Sequence, residues 1–348
     1  MLIDQPLTRE DLISVIEGKG AARRVPTVMH FWVHPGAFGD QEARVQELLS
    51  CYPMDIQIMS AEMPGMFEGR EDDPEYRWVN FEDPCKNANI GIDERSAISD
   101  WSQLDGILRD FPDKNYPNMT NSGPPDDGRY RLGLWWFCFF ERHWSLRGMA
   151  NALMDYYTDP DSVHRLFRAL TDFYLAVIER MALDMKVNGV FTSDDIGTQT
   201  GPFFSLSIFR EFYKPYYKEL IDKAHSLGLH FWLHTCGNVE LFLPDFVEIG
   251  LDVIHPIQKY TMDEKNIAQQ FGKDLCIWGG FDVQQVIPWG TPEDVRREVR
   301  FMIDTYQRPE GRFMLTAGNG VTGDCPVESL EALLDETISY GMQHNPKR

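Results

Sequence analysis

Runs of β-branched, aromatic and aliphatic residues recur along the chain, and the stretches between several of them carry apolar positions at helical spacing. Eight runs read as strands: "TVMHFWV" (27–33), "MDIQIMS" (54–60), "RYRLGLWWF" (129–137), "VNGVFTS" (187–193), "LHFWLH" (229–234), "LDVIHP" from 251, "DLCIWGG" from 274 and "GRFMLTA" from 311. Helical segments such as "SLSIFREFYKPYYKELIDKAHSLG" lie between them, with Pro215 placed to begin a second helical segment or to kink the first. Near the amino terminus, Thr8 and Asp11 have the spacing of a helix-starting cap. Strand and helix alternate, which predicts an α/β fold. Strands this apolar must be covered on both faces, and eight units favour a closed (β/α)8 barrel spanning 1–348 as one domain, opened by an N-terminal helix. No glycine-rich dinucleotide fingerprint follows any strand, which also counts against an open doubly wound sheet.

Residues 61–129 depart from this rhythm, being rich in Asp, Glu, Pro, Asn and Gly. They read as an insertion near the barrel mouth, either a lid or binding loop or a solvated excursion.

Composition narrows the function. A chain of 348 residues with 43% hydrophobic content can bury a large core. The formal charge of -21 argues against nucleic acid or an anionic membrane surface as partner, since both would be repelled. The first residues carry acids where a secretory signal would carry bases, and "LGLWWFCFF" is too short to span a bilayer. Six scattered cysteines without a CxxC suit a reducing cytoplasm and free thiols.

In a barrel the active site forms at the carboxyl ends of the strands. Those positions are unusually polar here: His34, Ser60, Asp194, Asp195, His234, Cys236, His255, Gln258, Asp282 and Asn319. His234 and Cys236 stand at i and i+2 of an extended segment, so both can face one metal ion, and thiolate with imidazole suits zinc. A catalytic zinc takes a third protein ligand, for which Cys325 is the sulfur candidate, its alternative being a small apolar buttress before Pro326. Asp194, Asp195 and Asp282 can ligate, orient a ligand or cap the helices that follow; of the adjacent pair, one should enter the pocket. Cys51, Cys85, Cys138 and Cys276, with His225 and His230, read as structural, and the aromatic runs as core more than pocket.

The segments "FTSDDIGTQTGP", "HTCGNV", "IGLDVIHPIQ", "WGGFDVQQVIPWGTPEDV" and "CPVESLEAL" resemble the uroporphyrinogen decarboxylase superfamily, in its branch of corrinoid-dependent methyltransferases. The resemblance implies a TIM-like barrel and a zinc held by the HxCG motif, here His234 and Cys236. Two departures shape the expectation. Decarboxylase members carry an arginine-rich segment after the first strand to grip carboxylates, where this chain has "HPGAFGD". Coenzyme M methylating members place a third zinc cysteine directly after the last strand, where this chain has Gly318-Asn319, with Cys325 six positions beyond Asn319. The expected function is therefore the substrate-side methyltransferase of an O-demethylase. A small methoxylated, aromatic donor would pass its methyl group to the cobalt(I) of a separate corrinoid protein, with a homodimer left open. Zinc would act as Lewis acid on the ether oxygen. Asp194, Asp195 or His255 would supply a proton, and His34, Gln199, Gln258, Asp282 and Asn319 would bind the donor. The alternatives are a decarboxylase of the uroporphyrinogen type, a methylcobamide:coenzyme M methyltransferase or a barrel that only binds.

Overall fold

The structure is a computed structural model that describes residues 3–79, 96–120 and 123–345. After a helix at Arg9–Ile16, started by the Thr8–Asp11 capping box, seven strands form one parallel sheet in sequential order. They are β1 (Ile56–Ser60), β2 (Tyr130–Trp135), β3 (Gly189–Ser193), β4 (His230–His234), β5 (Val253–His255), β6 (Cys276–Phe281) and β7 (Phe313–Ala317). β2, β3, β5, β6 and β7 are buried along their whole length, as a sheet covered by helices requires. The result is a TIM-barrel-like α/β fold. The kink expected at Pro215 takes the form of a new helix, Lys214–Ser226, with the proline in its first turn after a π-helical segment.

The eighth expected strand, 27–33, is not one. Its start bridges β7 through Thr27 and Leu315, with the Leu315 N–H donating to Pro26 O at 2.9 Å. On the other side the Asp55 N–H donates to Thr27 O at 3.1 Å, just ahead of β1. The chain then turns into a 3₁₀-helix, Met29–Trp32. The reason lies in the aromatics. An extended chain would send Phe31 and Trp32 to opposite faces, whereas the turn brings Trp32 inside, stacked at 4.8 Å on His255.

The seam is clamped by Asp55, which is fully buried. Its carboxylate accepts the N–H groups of Leu7 (2.8 Å) and Thr27 (2.7 Å) and pairs with the buried Arg24 guanidinium at 2.7 and 2.8 Å.

The described parts of 61–129 include a helix, Leu104–Asp110, and several of their residues bond to the helices between β2 and β3. The Ala97 N–H donates to Leu146 O, the Arg180 guanidinium to Tyr116 O and the Thr120 hydroxyl to Asp184. The middle of that insertion, 80–95 with Cys85, lies outside the described residues. Among the described residues no helix is long and apolar enough to cross a membrane.

Replacing Asp55 by Ala should cost about 3–5 kcal/mol, because the buried Arg24 guanidinium is left with Asp4 as its carboxylate partner and the Leu7 and Thr27 N–H groups lose their acceptor. Urea unfolding will show a loss of unfolding free energy of that size, and a loss below about 1 kcal/mol would mean that the clamp does not hold the seam.

Candidate metal centre

β3, β4 and β5 run side by side with Ser193 opposite His234 and His234 opposite His255. This register puts two imidazoles on neighbouring strands at the barrel mouth. Between them, Nδ1 of His234 and Nδ1 of His255 lie 2.7 Å apart, and Nε2 of His255 lies 2.9 Å from Ala317 O. A carbonyl oxygen only accepts, so His255 must donate from Nε2. Burial, with the neighbouring His234 adding to it, holds His255 well below the usual imidazole range, so the ring is neutral and its Nδ1 accepts. His234 therefore donates from Nδ1 and presents a bare lone pair at Nε2. That nitrogen faces the Cys236 thiol at 3.4 Å and Asp195 Oδ1 at 3.5 Å. Trp32, Trp278 and Trp136 surround the two rings, with centroids 4.8, 4.5 and 6.2 Å from the nearer imidazole.

One nitrogen, one sulfur and one carboxylate oxygen from Asp195, His234 and Cys236 all lie within 4.8 Å of one another. As a donor set this suits zinc: neutral imidazole, thiolate and carboxylate together balance its two charges. Burial, with Asp195 adding to it, pushes the Cys236 thiol up, so this sulfur ionises only when a cation is there to receive it. The loops that carry the group are tied together. The Cys236 N–H donates to Asp195 Oδ1 at 2.8 Å, and Thr198 and Asn238 form a bridge beside it. Gly197 and Gly237 allow the approach. A Cβ on Gly237, whose φ is +83°, would sit 2.3 Å from the Gly197 carbonyl carbon.

The two adjacent aspartates face opposite ways. Asp195 joins the group, whereas Asp194 turns into the protein. There it accepts the N–H groups of Phe139, Phe140 and Glu141 at 2.9–3.1 Å and the Tyr217 hydroxyl at 2.6 Å. It caps the helix Phe140–Arg147, and burial leaves its carboxyl pushed up to about 6 despite those donors. Asp194 is thus a structural cap, and His255, with both nitrogens engaged, has no proton aimed at the pocket. Cys325 stands outside the group of three; its buried thiol contacts Pro326 O at 3.4 Å. His34 is exposed at the start of a 3₁₀-helix and does not border the cavity beside Cys236. That cavity, about 190 Å³, is bordered by Cys236 together with Gln199, Gln258, Asp282 and Asn319. The Asn319 amide faces the Cys236 sulfur at 3.7 Å, and Gln258 accepts the Gly237 N–H at 2.6 Å.

Glu141 escapes a reading by strand ends because it sits in the first turn of a helix. It is buried, accepts the Ser193 hydroxyl at 2.6 Å, and its carboxyl is pushed well above the usual carboxylate range by burial and by the fields of Asp195 and Asp194. Cys138 and Cys276 are buried and free, as expected of structural thiols, and Cys51 is half-buried.

Residues 144–340 match the uroporphyrinogen decarboxylase family, and the chain belongs to that family. A segment of 190 residues is 27% identical to a methylated-thiol–coenzyme M methyltransferase of Methanosarcina mazei, covering 54% of this chain and 47% of that protein. The match thus spans about half the length of that curated relative. A methyltransferase structure from Methanosarcina mazei superposes with a TM-score of 0.59 over 95% of this chain and 98% of its own, at 14% identity, which speaks for the fold.

His255→Ala removes the group that fixes the His234 tautomer while leaving all three candidate ligands in place. Zinc affinity, measured by competition with a chromophoric chelator, should fall roughly 10–100-fold in this variant, and more in Cys236→Ser. Unchanged affinity in His255→Ala would show that the imidazole pair does not position the ligand.

Proposed function

We propose that this protein is a zinc-dependent methyltransferase that moves a methyl group from an O-methylated donor, an aryl methyl ether, to the cobalt(I) of a separate corrinoid protein. The observation that carries the reading is the convergence of Asp195, His234 and Cys236 at the barrel mouth beside a cavity open to a small molecule. Membership of the family and the methyltransferase activity named for the curated relative support it.

An ether is a poor methyl donor because its leaving group is an unstabilised oxyanion, and zinc, when bound, supplies the Lewis acidity that such an oxygen needs. The chain's residues do the rest. His234, Cys236 and Asp195 hold the ion, with His255 setting the orientation of His234. Gln199, Gln258 and Asn319 orient the donor through their amides, and Asp282 shapes the wall while capping the helix Val286–Trp289, where it accepts the Val286 N–H at 3.0 Å. The tryptophans keep water from the back of the imidazoles, which strengthens every electrostatic interaction there. A decarboxylase of the uroporphyrinogen type would need cations to grip several carboxylates, and among the described residues the cavity wall has one, Lys259, already paired with Glu264 and Glu298.

Anaerobic incubation of the zinc-loaded protein with methoxyphenols and a reduced corrinoid protein should convert the cobalt(I) spectrum into that of methyl-cobalt. His234→Ala should slow this at least 100-fold. Equal turnover in that variant, or turnover with methyl-coenzyme M alone, would sink the O-demethylase reading.

A further inference from the structure

We infer that the cavity beside Cys236 accepts a neutral or cationic donor built on a single substituted ring, and discriminates against anionic donors of the same shape. The inference deepens the proposed function, on which its choice of ligands rests, by fixing the charge class of the substrate.

Size comes first. An apolar cavity of about 150 Å³ accommodates benzene, so a space of about 190 Å³ takes one ring and a small substituent. At the cavity wall there is no space for a side chain at position 280. A Cβ on Gly280 would lie 2.3 Å from the Pro256 Cβ and 2.7 Å from the Gly318 Cα, so the β6 and β7 ends meet backbone to backbone.

Charge is decided by the polar lining. Gln199, Gln258, Gln284 and Asn319 contribute four neutral amides, and Asp282 a buried carboxylate. Lys259 is the one cation among the described lining residues. Its ammonium is 3.2 Å from Glu264 and closer still to Glu298, and it also lies over the Phe301 ring at 4.6 Å. It is therefore spent on two carboxylates. A zinc ion bound by Asp195 and the Cys236 thiolate adds no net charge, because two ligand charges cancel its own. An anion entering this space would lose its hydration, meet Asp282 and find no unpaired cation among the described lining residues, which is costly in a partly buried site. A hydroxyl or an ammonium group on the donor can instead donate to the Asp282 carboxylate in the same lining.

The test uses three ligands that share one ring and one methoxy group: 3-methoxybenzyl alcohol, 3-methoxybenzylamine and 3-methoxybenzoate. Calorimetric titration into zinc-loaded wild-type protein should give dissociation constants for the alcohol and the amine at least tenfold below that for the benzoate. Gln284→Lys adds a cation to the cavity lining, offsetting Asp282, and should bring the benzoate to within about threefold of the alcohol. Equal binding of all three, tighter binding of the benzoate, no binding of any, or no response to Gln284→Lys would each overturn the inference. Because the titration needs no corrinoid, the two ideas fail separately. Tight binding of the neutral ligand without methyl transfer would refute the proposed function alone, and efficient transfer from the benzoate would refute the charge class alone.

Discussion

A parallel sheet leaves a row of unpaired N–H and C=O groups at each outer strand, and this barrel depends on how those two edges are reconciled. β7 and β1 do not pair with each other or with a full eighth strand. A few residues around Thr27 bond to both, and the buried Asp55–Arg24 pair holds them there. The site inherits this closure. Asn319 follows β7, Asp282 follows β6, and Asp195 and Cys236 follow β3 and β4, so they meet only because the sheet curls round on itself. Trp32, carried by the closing segment, reaches the imidazole pair directly, which links the seam to the chemistry through one aromatic contact.

Much of this was legible in the sequence. Seven of the eight apolar runs are strands in the expected order, since near-continuous burial leaves an unmistakable pattern. The eighth failed because an apolar aromatic run looks the same whether it pairs along a ladder or folds inward to pack a ring. At the mouth, the i, i+2 spacing of His234 and Cys236 and the opposite facing of Asp194 and Asp195 follow from strand geometry alone. Which aspartate would face the pocket did not. That depended on the helix after β2 needing a cap, a contact 53 to 55 residues away in sequence. Glu141 was hidden for the same reason, and the part of Cys325 could not be judged from spacing because the loop after β7 decides where it goes.

The imidazole pair shows how a core can serve a site. His234 and His255 sit among tryptophans, an environment that disfavours charge on either ring and pushes both below the ordinary imidazole range. Apolar packing thus selects the protonation state, and hydrogen bonding selects the tautomer. Neither ring is free to act as an acid, and that restriction is what makes one of them a good ligand.

The last acceptor in this chain of rings is the peptide oxygen of Ala317 rather than a side chain. No substitution at that position can remove it, so the proton order across two rings is written into the strand register of β7. Were the main chain to present an N–H there, His255 would accept, His234 would receive at Nδ1, and its Nε2 would carry hydrogen toward the thiol. A shift of one residue in a strand that contributes no ligand atom would then turn a metal-binding nitrogen into a hydrogen-bond donor.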